Sequence, residues 1–258
     1  GSAEAPGKGQ WGGITFNSGS TASINSAVIH YGGYTYNGCY GSCRQANIYN
    51  NGGNILLDNV ELATSSLYGL RQVSGISTIS NSEFNNQPIG LYTANGSILV
   101  SSSSFHHNTT AGVTADSGNL VLTGNSFVSN NKVSQISAGS NFVHSNNTAT
   151  GNSVNGFSFN NTITSNQTWN KDLPYVVSNL AIPSGKTLTI DPGVIVKFSV
   201  AYPSNFVVNG RLVVNGTSDN KVYFTSYYDD SVGGDTNGDG AGQVTGPGQW
   251  SNLDFETG

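Results

Sequence analysis

GNILLDNVELATSSLYGLRQVS (53–74), GISTISNSEFNNQPIGLYTAN (75–95), GSILVSSSSFHHNTTAGVTADS (96–117), GNLVLTGNSFVSNNKVSQISAG (118–139) and SNFVHSNNTATGNSVNGFSFN (140–160) follow one another without a gap, in lines of 22, 21, 22, 22 and 21 residues. Their columns agree. Leu57, Ile79, Val100 and Leu122 share one apolar position, which His144 takes in the last line. Leu62, Phe84, Phe105 and Phe127 share a second, closed by Ala149. Leu70, Leu91, Val113 and Phe157 share a third, each preceded by glycine at 69, 90, 112 and 156, and Ser134 and Gln135 break it in the fourth line.

A period near 22 with three short apolar beats is too short for a strand–helix repeat and too regular for a sandwich. It predicts a solenoid coil of three short strands, stacked so that like residues lie about 4.8 Å apart. The phenylalanine column then becomes an internal aromatic ladder. Asn59, Asn81 and Asn146 recur at one turn, where asparagine tolerates the left-handed conformation and can bond along a ladder; the glycine column is expected to mark a second bend. An earlier coil is visible at 22–33, with Ile24 and Ile29 matching Leu57 and Leu62. That step is 33 residues, which places an insertion of about 11 residues near 33–45. The insertion carries Tyr34, Tyr36 and Tyr40, candidate stacking surfaces for a sugar ring or ordinary half-buried β residues. It also carries Cys39 and Cys43, expected to form a small disulfide.

Composition excludes whole classes of function. Charged residues make up 9% of the chain, against roughly 25% in an ordinary globular protein. Disorder is excluded by a hydrophobic fraction of 36% and a net charge of only −5, since disordered chains combine weak hydrophobicity with high net charge. Ser, Thr, Asn and 34 Gly supply the polarity; these residues favour turns over helices. Nine Lys plus Arg and a pI near 5.1 leave no basic footprint for nucleic acid. No run of 18 apolar residues spans a membrane. The chain is expected to be extracellular, and a leader is not expected in a segment of a mature secreted protein.

From about residue 172 the spacing shortens and the sequence turns aliphatic, with alternation in Leu188/Ile190, Val194/Val196/Phe198, Phe206/Val208, Leu212/Val214 and Val222/Phe224. Residues 1–171 therefore read as coils with an inserted loop, and 172–258 as a second β segment opening a further module. PGQWSNLDFETG (247–258) resembles GKGQWGGITFNSG (7–19) at an offset of 239, placing Trp250 on Trp11 and Phe255 on Phe16. The expectation is a tandem array whose next copy starts there, working by end-to-end continuation.

These columns, with the block LTIDPGVIVKF…LVVNGT…VYFTS…DDSVGGDTNGDG…GQW of residues 188–250, resemble the right-handed parallel β-helix repeats of large bacterial surface and secreted proteins in the pectate-lyase-like superfamily. The resemblance covers most of the chain. It implies an all-β, right-handed parallel β-helix and says little of activity, because that superfamily holds lyases, hydrolases, adhesins and inert stalks.

The sharpest chemical motif is DDSVGGDTNGDG (229–240). Asp235, Asn237, Asp239 and Gly240 match the opening of an EF-hand-type calcium loop, whose alternating oxygens face one cation. The twelfth position is Gly246 where a glutamate belongs, so Asp229, Asp230 or a backbone carbonyl has to complete a Ca²⁺ shell. Glu61 and Glu83 fall in one column of consecutive coils with Asp58 close by, either exposed turn residues or the acid and base of a polysaccharide lyase or glycoside hydrolase, with Arg71 as charge partner. His106 and His107 are adjacent and in a strand would face opposite ways; they read as turn-exposed histidines rather than a metal pair, and His30 and His144 stand alone. The outward column Asp58, Ser80, Ser101, Thr123 and Ser145 raises an ice- or crystal-binding face, without the regular threonine array such a face needs. The leading expectation is a non-catalytic structural or adhesive module with a glycan or cell-surface ligand.

Overall fold

A computed structural model of the chain describes residues 5–34, 44–199, 206–240, 242, 245–250 and 252–256. Among them there is no helix, and every strand pairing is parallel, as in a β-solenoid. No helix is long and apolar enough to cross a membrane.

The pairing reproduces the sequence columns residue for residue. Ile24, Leu57, Ile79, Val100, Leu122 and His144 are successive partners. So are Ile29, Leu62, Phe84, Phe105, Phe127 and Ala149. On the remaining face Leu70, Leu91, Val113, Ser134 and Phe157 stack in turn. Each coil thus has three faces, called first (Leu70 column), second (Leu57 column) and third (Leu62 column). The core is the space between them, where Phe84, Phe105 and Phe127 lie fully buried and parallel, with ring centroids 4.7 and 5.0 Å apart.

The corner between the second and third faces is the asparagine turn. Asn59, Asn81 and Asn146 have φ of 55°, 49° and 56°, and Ser26, Ser102 and Gly124 fill the same place in other coils. The glycine column is not a bend. Gly69 lies within the strand Tyr68–Ser80, and Gly90 and Gly112 within Ile89–Thr93 and Ala111–Ala115. A Cβ on Gly90 would stand 3.0 Å from Phe105 Cδ1 and 2.6 Å from Gly112 O, and one on Gly112 would stand 2.9 Å from Phe127 Cδ1. These positions are glycine because the phenylalanine of the following coil occupies the space a side chain would need.

The break in the column has the same cause. A register shift between Lys132 and Ser134 leaves Val133 and Ser134 both buried. Val133 thereby takes the glycine place, facing the coil in which Ala149 replaces the phenylalanine. Volume lost in one column is restored in the next.

Beyond the five lines the stack continues: Phe157–Tyr175–Val196–Phe224 are consecutive partners on the first face. Residues on either side of 171/172 therefore share one sheet. The third face ends earlier, at the strand Thr148–Thr150.

Candidate functional site

Two buried ladders run along the stack; one finishes at the Asp172 carboxylate, the other at backbone carbonyls of the acidic loop. In the first, each backbone N–H donates to the side chain one coil on: Val60 to Ser82 Oγ (3.1 Å), Ser82 to Ser103 Oγ (3.1 Å), Ser103 to Asn125 Oδ1 (3.0 Å) and Asn125 to Asn147 Oδ1 (3.0 Å). Asp172 closes it, accepting from Asn147 N (3.0 Å) on Oδ1 and from Asn147 Nδ2 (2.7 Å) and His144 Nδ1 (3.0 Å) on Oδ2. On the other side of its ring, His144 Nε2 meets the Tyr175 hydroxyl. Burial pushes the Tyr175 pKa well up, so that hydroxyl stays protonated. His144 is thus no lone residue; it sits in the core because both ring nitrogens are satisfied there.

The second ladder passes from Asn108 N to Asn130 Oδ1 (3.1 Å), from Asn130 N to Asn152 Oδ1 (2.7 Å) and from Asn152 N to Asn155 Oδ1 (3.1 Å). Asn155 then reaches the acidic loop, its N–H donating to Thr236 O (2.8 Å) and its Nδ2 to Asp235 O (2.9 Å). The loop packs against the corner at Asn152–Asn155, which follows the last strand of the third face. Within it Thr236 is fully buried, and a Cβ on Gly238 would stand 2.6 Å from Asn152 O.

From below, the loop is held by Lys197, whose buried ammonium donates to Asp229 O (2.7 Å) and Gly234 O (2.9 Å). Burial lowers the Lys197 pKa, against the opposing pull of Asp230, Asp229 and Asp235. Oxygens of Asp230, Asp235 and Asp239 all lie within 4.8 Å of one another. Asp230 Oδ1 is buried without a hydrogen-bond partner, and burial, with Asp235 next, raises its pKa. Asn237 Oδ1 lies 3.5 Å from Asp239 N, inside the same turn. Of the two acids proposed to complete the shell, Asp230 joins the cluster. The Asp229 carboxylate accepts instead from Ser231 N (3.1 Å) and Thr225 Oγ1 (2.5 Å). An orphaned, desolvated oxygen among converging carboxylates is the donor set a hard cation takes.

Glu61 and Glu83 are direct partners on the third face. Asn85 Nδ2 donates to Oε1 of both, at 3.2 and 2.8 Å. His30 Nε2 stands 3.0 Å from Glu61 Oε1 and His106 Nε2 2.6 Å from Glu83 Oε1. The two carboxylates therefore lie in a line of alternating partners along the stack. Asp58 is directed to the second-face side, accepting from Ser80 Oγ (2.6 Å) and Asn81 Nδ2 (2.8 Å). Arg71 is not their charge partner; it stands on the first face, with its guanidinium over the rings of Tyr49, Tyr68 and Tyr92. His106 ends the strand Ser104–His106, so the pair sits at a turn. His107 turns the corner at φ 54°, which brings the two Nδ1 atoms to 2.8 Å.

Tyr34 is exposed, with its N–H bonded to Trp11 O (2.9 Å); Tyr36, Tyr40, Cys39 and Cys43 lie outside the described residues. No protein-family model matches the chain, and the searches of curated proteins and of solved structures return no match.

Proposed function

We propose that the chain is a non-catalytic structural or adhesive module of a large extracellular bacterial surface protein. In this reading it is a right-handed β-helix of the pectate-lyase-like kind, repeated in tandem as a spacer that holds a glycan- or cell-surface-binding tip away from the cell. The observation that carries this reading is the recurrence of the Gln10–Trp11 segment at Gln249–Trp250 on a parallel stack whose first face continues to Tyr223–Ser226. A stack of this kind has length as its variable property and copy number as its control. The loop at 229–240 belongs to the same purpose. It packs on the corner at Asn152–Asn155, and Ca²⁺ held by Asp230, Asp235 and Asp239, with Asn237 in the turn, locks it down. The exposed Tyr34 belongs to the inserted loop, where a ligand contact is best placed.

The runner-up is a polysaccharide lyase or glycoside hydrolase using Glu61 and Glu83. An acid and base in such enzymes face each other across the scissile bond, whereas these two share Asn85 as a common donor and are each closed by a histidine. An array of acidic and neutral bacterial and plant polysaccharides, read for retention and for product release, decides between them. Retention without new reducing ends or unsaturated products is expected. Product release that disappears in Glu61→Gln and Glu83→Gln would establish the enzyme.

A further inference from the structure

The strand Leu253–Phe255 is, by the 239-residue recurrence, the counterpart of Ile14–Asn17. The correspondence extends to the backbone: Gly9 and Gly248, each two residues before the tryptophan, have φ of 74° and 80°. Yet the two copies of this strand use different neighbours. Ile14–Asn17 has as its ladder partner among the described residues the strand that follows it, with Ile14 on Ile48 and Phe16 on Asn50. Leu253–Phe255 has the strand that precedes it, with Leu253 on Phe206 and Phe255 on Val208. The chain thus displays both halves of one contact. One copy shows what lies behind this strand, the other what lies ahead.

We infer that copies of this chain join by sharing that strand: the first strand of each following copy adds in parallel to Phe206–Val208 of the copy before it, and its tryptophan stacks on Phe198. The inference rests on the tandem reading and names its contact. Trp250 is stacked on Phe198 with centroids 4.3 Å apart at 16°. Its counterpart Trp11 is 40% exposed, held by a hydrogen bond from Nε1 to His30 O. Phe16 packs partly buried against the core cluster, while Phe255 is 68% exposed. Each difference has the same sense. Trp11 lacks the Phe198 of a preceding copy, and Phe255 lacks the coil of a following one. The shared strand pairs the edge of Phe206–Val208 behind it and the Ile48–Asn51 stretch ahead of it, which removes the liability of an open β edge at that strand. It also makes the joint a cis contact, because Leu253–Phe255 already occupies the edge on which a separate molecule would have to dock.

The test compares the 258-residue chain with a two-copy chain in which residues 1–258 run directly into residues 20–258, which keeps the recurrence in register. Amide exchange is followed by mass spectrometry on the peptide 246–256. Its exchange should slow at least tenfold in the two-copy chain, and Phe198→Ala in the first copy should cancel that gain. Peptides covering 79–127 serve as the folding control and should be unchanged in all three proteins. Equal exchange of peptide 246–256 in the one- and two-copy chains overturns the shared-strand joint, even if the two-copy chain is elongated and the spacer reading stands. A protected joint in a chain that degrades polysaccharide does the reverse, upholding the contact and overturning the spacer.

Discussion

Phe105→Ala is expected to lower the unfolding free energy by about 3 to 5 kcal/mol. Phe105 is fully buried between Phe84 and Phe127, with interplanar angles of 8° and 10°. Its removal sacrifices the transfer free energy of the ring and two stacked contacts, each contributing about 0.5 to 1.5 kcal/mol beyond area burial. The cavity cannot close, because the spacing between coils is fixed by backbone ladders on both sides of the residue, Phe84–Phe105 and Phe105–Phe127. Gly90 borders the space and has no side chain to move into it. Urea unfolding should show a lower midpoint with little change in slope. Val143→Ala, at a position 51% exposed on the second face, should cost under about 0.5 kcal/mol. Equal effects at the two positions would mean that the phenylalanine column is not the core.

Calcium is the second large lever. A cation that binds the folded loop and not the unfolded chain stabilises by mass action, about 2.7 kcal/mol at one hundred times the dissociation constant. For a chain of this size that is a rise in melting temperature of about 5 to 10 °C. EGTA should reverse it, and Asp235→Ala should abolish it. The pH dependence has a definite sign. The Asp230 carboxyl has its folded pKa raised, by burial first and by Asp235 next. A group raised in this way favours the folded state at low pH, where it is protonated, and that contribution is lost as pH climbs through the folded value. Without metal, the loop should therefore loosen as Asp230 ionises. With Ca²⁺ the ionised form is the liganded one, so the calcium-induced shift should grow over the same interval. A melting temperature indifferent to both calcium and EGTA, with no heat of binding, would remove the metal from the account.

Much of this was legible because a parallel solenoid writes its register into the sequence. Residues one coil apart are stacked partners, so a column of like residues is a list of contacts. The Leu57, Leu62 and Leu70 columns, and the match of Ile24 and Ile29 across the insertion, are the pairings found. The glycine column was legible as a pattern and misleading as a cause, since glycine serves bends and close approaches alike. Gly90 is needed for the ring of Phe105, a contact between residues 15 apart that stack on different coils. The ladder asparagines at 108, 130 and 152 also share a column, but polar columns do not announce whether they point inward. Asp172 and His144 were out of reach, because their pairing closes the stack after the regular lines have ended. In the acidic loop, the spacing of Asp235, Asn237 and Asp239 showed the turn, while the choice of Asp230 over Asp229 depended on the hydrogen bonds that Thr225 and Ser231 give the Asp229 carboxylate.

Small-angle scattering on chains of one, two and three copies tests the spacer most directly. The first face stacks ten strands, from Ile14–Asn17 to Tyr223–Ser226. Leu253–Phe255, the first strand of the next copy, lies on the same level as the tenth, so each added copy contributes nine levels and, at about 4.8 Å per level, should lengthen the particle by roughly 43 Å. Maximum dimension should therefore rise in equal steps while the cross-section stays constant. A three-copy particle that is compact, or that thickens as it grows, would contradict the continuous stack and with it the reading of this chain as a spacer.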